Sequence, residues 1–144
     1  MATTTYLDAS AIVKILLREA DAGPARELWR SASRRSTSVV AFVEARAAIA
    51  AAHRDGRLTV ALALDCRAEL DWRWEELEPV GLDDEILQLA GSIADDEGLR
   101  ALDAIHLATA LYVADARTLF VTWDRRLAGA ASRLGLAVAP ASLL

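Results

Sequence analysis

The chain is short of nearly every residue type that marks a special class of protein. Its 144 residues hold one cysteine, Cys66, so neither an internal disulfide nor a cysteine-rich zinc site can form. Three prolines and seven glycines are too few for a linker or a low-complexity tract. They act as punctuation between elements. Basic residues do not prevail, because 16 Lys and Arg stand against 21 Asp and Glu, a net charge of -5. A DNA-coating protein is excluded on that balance. A nuclease is not, since its site must hold metal ions with carboxylates. Lysine is reduced to Lys14, the other basic residues being arginine, and alanine is abundant. Both biases read as genome composition. No apolar run approaches the ~18 residues of a membrane span. The start, Met1-Ala-Thr-Thr-Thr-Tyr-Leu-Asp8, lacks a basic region ahead of an apolar one. A soluble cytoplasmic protein with no membrane contact is expected, and a lone thiol agrees with a reducing compartment.

What is present is enough for a core. The composition is 54% hydrophobic and 26% charged, which excludes intrinsic disorder. A chain of this length suits one domain, expected over residues 1–144, that hides roughly 70% of its unfolded surface.

Strand and helix signals alternate. Thr3–Leu7 reads as a short strand, with β-branched and aromatic residues ending at Asp8. Ala9, Ile12, Val13, Leu16 and Ala20 then repeat at helical spacing. Gly23-Pro24 opens a second helix with the stripe Ala25, Leu28, Trp29 and Ala32. Residues 36–39 are extended. A third, Ala-rich helix spans Val40–Arg54, and a fourth runs from about Thr59 to Leu77. Residues 78–81 suit an edge strand, where proline is tolerated. A fifth helix opens with Asp83-Asp84-Glu85 and stops at Gly98. The sixth, Ala104–Ala114, is apolar nearly all round and should be central. Residues 118–122 form the clearest strand, a seventh helix spans Asp124–Leu134, and 136–139 make the last strand. The alternation implies an α/β fold with a mostly parallel sheet, whose chemistry collects at the carboxyl ends of the strands.

Four carboxylates fall there. Asp8 follows the first strand, Asp124 follows the fourth, Asp103 opens the sixth helix, and Glu44 lies in the third. Aspartate is a favoured N-cap, so capping stands beside ligation as a reading of Asp8, Asp103 and Asp124. Glu44 resists it. Its neighbours at i±3 and i±4 are Val40, Ala41, Ala47 and Ala48, so no local cation pairs with it. A divalent cation is a good candidate partner. Clustered carboxylates repel by about 4 kcal/mol per pair ~4 Å apart at an effective dielectric of 20, so the group would hold protons or metal. Oxygen-only ligands select Mg²⁺ or Mn²⁺ over zinc, and two such ions can clamp a phosphodiester during hydrolysis.

These pieces resemble those of the PIN-domain ribonucleases, most closely the VapC-type toxins of bacterial toxin–antitoxin pairs. The resemblance rests on Tyr6-Leu-Asp-Ala-Ser10, Ser38-Val-Val-Ala-Phe-Val-Glu44, Leu102-Asp-Ala-Ile-His-Leu-Ala-Thr-Ala110, Phe120-Val-Thr-Trp-Asp124 with Leu127, and Gly135-Leu136. It covers essentially the whole chain in order. It implies a three-layer α/β/α domain with a short parallel sheet, and ligation of Mg²⁺ or Mn²⁺, two ions during catalysis, by Asp8, Glu44, Asp103 and Asp124. It gives Thr122 and, less directly, Ser10 an accessory role. Trp123 departs from the family, where a polar or basic residue is expected, and is a candidate for shaping the RNA groove. The implied activity is endoribonucleolytic cleavage of cellular RNA that halts translation. The implied partners are a small VapB-type antitoxin and a second copy of the chain.

Other residues carry competing readings. Arg125 and Arg126 follow Asp124, and Arg100 precedes Asp103 by one turn. Each could reach an RNA phosphate or simply face solvent. His106, one turn after Asp103, reads first as a histidine satisfied by packing, since the metals supply the nucleophile. His53 should be exposed, Cys66 a small buried hydrophobe and Trp74 core. A mean hydropathy of +0.23 supports a homodimer, with Ile15, Leu17 and Trp29 of the first helices as the surplus apolar surface.

Three other functions compete. An RNA-processing PIN nuclease without antitoxin is the runner-up, and 144 residues leave no room for an added RNA-binding module, which favours the toxin. A non-catalytic, Mg²⁺-binding receiver-type signalling module would carry an acidic pair after the first strand and a late lysine. Here Asp8 stands alone and Lys14 is early. A binding protein whose aspartates are caps leaves Glu44 unexplained.

Overall fold

The computed structural model describes residues 2–144. The strands are β1 (Thr4–Leu7), β2 (Arg34–Ser38), β3 (Glu78–Val80), β4 (Thr118–Val121) and β5 (Ala137–Ala139). The helices are α1 (Ala9–Leu16), α2 (Gly23–Ser31), α3 (Val40–Arg54), α4 (Val60–Glu75), α5 (Asp84–Glu97), α6 (Ala101–Val113) and α7 (Arg125–Arg133). A single 3₁₀ turn, Ala141–Leu143, was absent from the expectation.

The strands form one sheet in the order β3-β2-β1-β4-β5, and every pairing is parallel. Alternation along the central strands decides what each face holds. Leu7 and Val121 join one core with α1 to α4, while Tyr6 and Phe120 join a second with α5 to α7. The result is the expected three layers. The order also places a switch point between β1 and β4. The chain leaves β1 towards β2 and leaves β4 towards β5, which opens a crevice at the carboxyl ends of the two strands.

Most elements lie within a few residues of their expected bounds, and the differences have physical causes. β2 begins at Arg34, not Ser36, because Arg34 and Arg35 pair in register with Thr4 and Thr5 of β1, and their side chains find partners in Glu78 at 2.8 Å and the Trp29 carbonyl at 2.7 Å. α6 begins three residues before its apolar pattern, at Ala101. One expectation is overturned. Ile15 and Trp29 are not spare surface: they are 1% and 4% exposed, and Leu17 packs half-buried against the same core. α1 lies against α2, α3 and α4 as well as β1, so more than one of its faces is buried.

The readings of Cys66, Trp74 and His53 agree with the structure. Cys66 is buried, its thiol donates to the Leu16 carbonyl at 3.1 Å, and burial pushes its pKa up, away from thiolate chemistry. Trp74 meets Phe42 edge to face at 5.3 Å, and His53 is exposed. Among the described residues no helix is long and apolar enough to cross a membrane.

Candidate functional site at the crevice

Asp8 is the first residue beyond β1, and its backbone N–H donates to the Val121 carbonyl of β4 at 3.2 Å. That bond draws the ends of the two strands together at the switch point. Its side chain caps α1, with Oδ1 accepting from the Ala11 N–H at 3.0 Å. The same oxygen accepts from the Ser10 hydroxyl at 2.7 Å, and Oδ2 accepts from the Thr122 hydroxyl at 2.6 Å. Each hydroxyl thus spends its one proton on Asp8, so their own 3.2 Å contact is left without a hydrogen. Both oxygens then serve as acceptors. The Trp123 N–H donates to Ser10 Oγ at 2.9 Å, and the Asp124 N–H donates to Thr122 Oγ1 at 3.0 Å. The loop after β4 is thereby knitted to the start of α1.

Asp8 is 3% exposed. Burial raises its pKa, against the opposing pull of the two hydroxyls and the Ala11 N–H. An ionised Asp8 is therefore held at a cost that a nearby cation would relieve.

Asp124 caps α7, its Oδ1 accepting from the Leu127 N–H at 3.0 Å. Asp103 is not a cap, because Arg100 occupies that position of α6 and makes no side-chain capping bond. Asp103 lies in the first turn, at the positive end of the helix dipole. Arg100 bridges the two carboxylates, 3.3 Å from Asp103 and 3.6 Å from Asp124. Glu44 and Asp103 line a common cleft of about 340 Å³ with Arg100, Ala101 and Leu102.

The capping reading therefore holds for Asp8 and Asp124 and fails for Asp103. Capping leaves Asp124 Oδ2 uncommitted except to Arg100. Asp8, Asp124 and Asp103 are linked in turn through Thr122 and Arg100, while Glu44 shares only the cleft with Asp103. Among the described residues, no three Asp, Glu, His or Cys side chains stand close enough to hold one ion in this arrangement. The donor set is nonetheless all oxygen, carboxylates with two hydroxyls, and that chemistry fits Mg²⁺ or Mn²⁺. Displacing Arg100 would free two of the carboxylates.

Sequence reasoning missed the partner of Glu44. His106 Nε2 lies 2.6 Å from Glu44 Oε1, and His106 Nδ1 lies 2.9 Å from the Tyr6 hydroxyl. His106 is 1% exposed and satisfied on both nitrogens. Burial, then the charge of Asp8, holds the Tyr6 pKa well above its usual value, so its hydroxyl keeps its proton. A lone histidine on an otherwise apolar helix was the available signal, but its partners lie 62 and 100 residues away in sequence.

The outer residues differ in freedom. Arg126 Nη2 donates to the Gly98 carbonyl at 2.7 Å, while Arg125 is exposed beside Asp124. The half-buried Trp123 ring packs on the first core, 5.7 Å from the Lys14 ammonium. Lys14 is itself paired with Glu19 and Asp21.

Comparison with known proteins bears on this geometry. A family model described as PIN domain matches residues 5–132. The chain is 43% identical over 140 residues to Ribonuclease VapC49 of Mycobacterium tuberculosis, covering 96% of each chain. It is 35% identical over 137 residues to Ribonuclease VapC46 of the same organism, covering 92% of this chain and 94% of that one. Among solved structures, Mycobacterium tuberculosis VapC20, described as a Sarcin-Ricin loop cleaving toxin, superposes with a TM-score of 0.66. That likeness covers 92% of this chain and 96% of the other at 17% identity, and it speaks for the fold.

Proposed function

The chain belongs to the PIN-domain family, and on that premise we propose that it is a metal-dependent endoribonuclease, the toxin of a VapBC-type pair. It would act in the cytoplasm, with residues 1–144 working as one nuclease domain that cleaves cellular RNA to halt translation. The observation that carries the reading is Asp8. It is a buried carboxylate at the crevice, ringed by hydroxyls and joined through Thr122 and Arg100 to Asp124 and Asp103. Relatives that share most of the chain's length are named ribonucleases.

Asp8, Glu44, Asp103 and Asp124 are the proposed ligands and catalytic residues. When bound, Mg²⁺ or Mn²⁺ supplies the Lewis acid that draws charge from a phosphodiester during hydrolysis. Ser10 and Thr122 fix the Asp8 carboxylate so that little reorganisation remains on binding. Arg100 holds the mutual repulsion of Asp103 and Asp124 in check. It is 79% exposed and able to swing to an RNA phosphate. Arg125 and Arg126, which open α7 directly after Asp124, are further candidates for RNA contact, as is Trp123 before it.

A VapB-type antitoxin is the proposed protein partner, placing a basic side chain near the acidic groups. Two solved neighbours are described as a toxin–antitoxin complex from Klebsiella pneumoniae and as FitAcB from Neisseria gonorrhoeae. The chain is further proposed to self-associate. Static light scattering on the isolated protein should give twice the monomer mass at tens of micromolar, and a strict monomer would remove the homodimer and leave the nuclease intact.

The test of the activity is RNA cleavage by the purified protein. Added Mg²⁺ or Mn²⁺ should support cleavage, and EDTA should abolish it. Asp8→Asn and Asp103→Asn should each abolish cleavage and growth inhibition while the protein stays folded. Cleavage that persists in EDTA, or in both variants, would overturn the metal-dependent reading.

A further inference from the structure

The Tyr6–His106–Glu44 chain runs from the central strand of the sheet to the rim of the cleft, and none of the preceding roles uses it. We propose that Tyr6 and His106 are positioning residues that fix the Glu44 carboxylate for cation binding, an inference that rests on the metal-dependent reading above.

The geometry is continuous. Tyr6 belongs to β1, is fully buried, and stacks on Phe120 of β4 with ring centres 5.5 Å apart and planes within 6°. Its hydroxyl is thus anchored to the two strands that flank the switch point. His106 meets the Tyr6 ring edge-on at 6.0 Å and takes the hydroxyl at Nδ1. With a neutral imidazole one proton arrangement satisfies every atom. The Tyr6 O–H donates to Nδ1, and Nε2–H donates to Glu44 Oε1. Only Oε1 is engaged, so Oε2 remains for a ligand in the cleft that Glu44 lines.

Glu44 needs such a device more than Asp8 and Asp124 do. Its side chain is a methylene longer and springs from the second turn of α3, not from a strand end. Asp8 and Asp124 are locked by capping bonds to their own helices. Glu44 has no capping role and no cation at i±3 or i±4. Left alone, it would sample several rotamers, and a binding cation would have to freeze them. A hydrogen bond of 2.6 Å from a buried, doubly anchored ring settles that in advance. Partners of ligating groups do this elsewhere, and losing one typically costs 10–100-fold in metal affinity.

The experiment is Mn²⁺ binding to the full chain without RNA, read by the electron paramagnetic resonance of free Mn²⁺. His106→Leu, which deletes the donor, should weaken Mn²⁺ about 10–100-fold. His106→Gln places an amide N–H near the position of Nε2 and should recover binding to within about 3-fold of wild type. Tyr6→Phe keeps the ring stack, removes only the anchor of His106, and should fall between. Far-ultraviolet circular dichroism on each variant checks folding, and Tyr6→Phe with His106→Gln carry the test if His106→Leu does not fold. Equal affinity in wild type and Tyr6→Phe, or equal loss in His106→Leu and His106→Gln, would overturn the positioning role while leaving the metal site standing. A wild-type chain that binds no Mn²⁺ would overturn the metal-dependent reading and this inference with it.

Discussion

Thr122→Val isolates one hydroxyl at the heart of the crevice. Valine matches threonine in shape, and Thr122 is fully buried, so little else changes. The variant loses the 2.6 Å bond to Asp8 Oδ2. A hydrogen bond to a charged group contributes about 1.5–3 kcal/mol. It also strips the Asp124 N–H of its acceptor, which costs about 1 kcal/mol more. The extra buried methyl returns about 0.8 kcal/mol. The net loss is about 2–3 kcal/mol. At about 2.1 cal/mol/K per residue, a chain of this size unfolds with an entropy near ~0.3 kcal/mol/K, so Tm should fall by roughly 8 °C.

The pH dependence of that loss is the sharper test. The Thr122 bond favours ionised Asp8 and opposes the upward shift that burial imposes. Deleting it raises the folded pKa of Asp8 further. A raised carboxylate pKa means that the native state takes up a proton more readily than the unfolded chain, so acidification recovers stability. Below the folded pKa the lost bond is one between neutral groups, worth about 1 kcal/mol. The gap between wild type and Thr122→Val should thus be widest near pH 8 and should narrow as pH falls through the raised Asp8 pKa towards about pH 4. Differential scanning calorimetry of both proteins, with EDTA present, measures it. Other carboxylates titrate alike in the two proteins and cancel. A gap that is constant across pH, or below about 1 kcal/mol at pH 8, would refute the proposed hold of Thr122 on a charged Asp8.

Three further outcomes follow from the same structure. Asp8→Asn should raise the Tm of the metal-free protein at neutral pH and lose that advantage in acid, because asparagine caps equally well, carries no buried charge, and can turn its amide N–H to Thr122 Oγ1 in place of the bond it loses there; a melt lowered at neutral pH would show that the lost Thr122 bond outweighs the burial cost. Gly98→Ala should cost about 1 kcal/mol, since Gly98 ends α5 with φ at 63°, while RNA cleavage stays at the wild-type level. Arg125→Ala in an Asp8→Asn background should weaken RNA binding and reduce the salt slope by about 1, whereas Arg126→Ala, already tied to Gly98, should change it less; fluorescence anisotropy across salt concentrations separates the two.

Local pattern carried the helices well and their surroundings poorly. α3 begins and ends where its Ala-rich run and Asp55-Gly56 place it. The central strands were readable because Phe120 and Val121, like Tyr6 and Leu7, are apolar on both faces, as a covered sheet requires. The start of α6 was not. Its first turn, Ala101-Leu102-Asp103, is exposed or half-buried at the crevice rim and breaks the apolar pattern before Ala104. Periodicity also cannot say how many faces of a short helix are covered. Ile15 and Trp29 were read as surplus for that reason, though both are buried in the first core.

The site was readable one carboxylate at a time, because each aspartate has a local signature at an element boundary. The links between them have none. Arg100 joins Asp103 to Asp124 only once α6 and α7 are docked, and Glu44 of α3 meets His106 of α6 only once the two layers are assembled on the sheet. Capping and ligation also looked like rival explanations in sequence, yet a carboxylate has two oxygens and need not choose. Asp124 spends Oδ1 on its helix and leaves Oδ2 to Arg100. The cap then does part of the site's work, since the oxygen bound to the helix sets where the other one points. Asp103 has no such tether and relies on Arg100, the most exposed member of the cluster. Of the four carboxylates, Asp103 should therefore be the most mobile before a cation arrives.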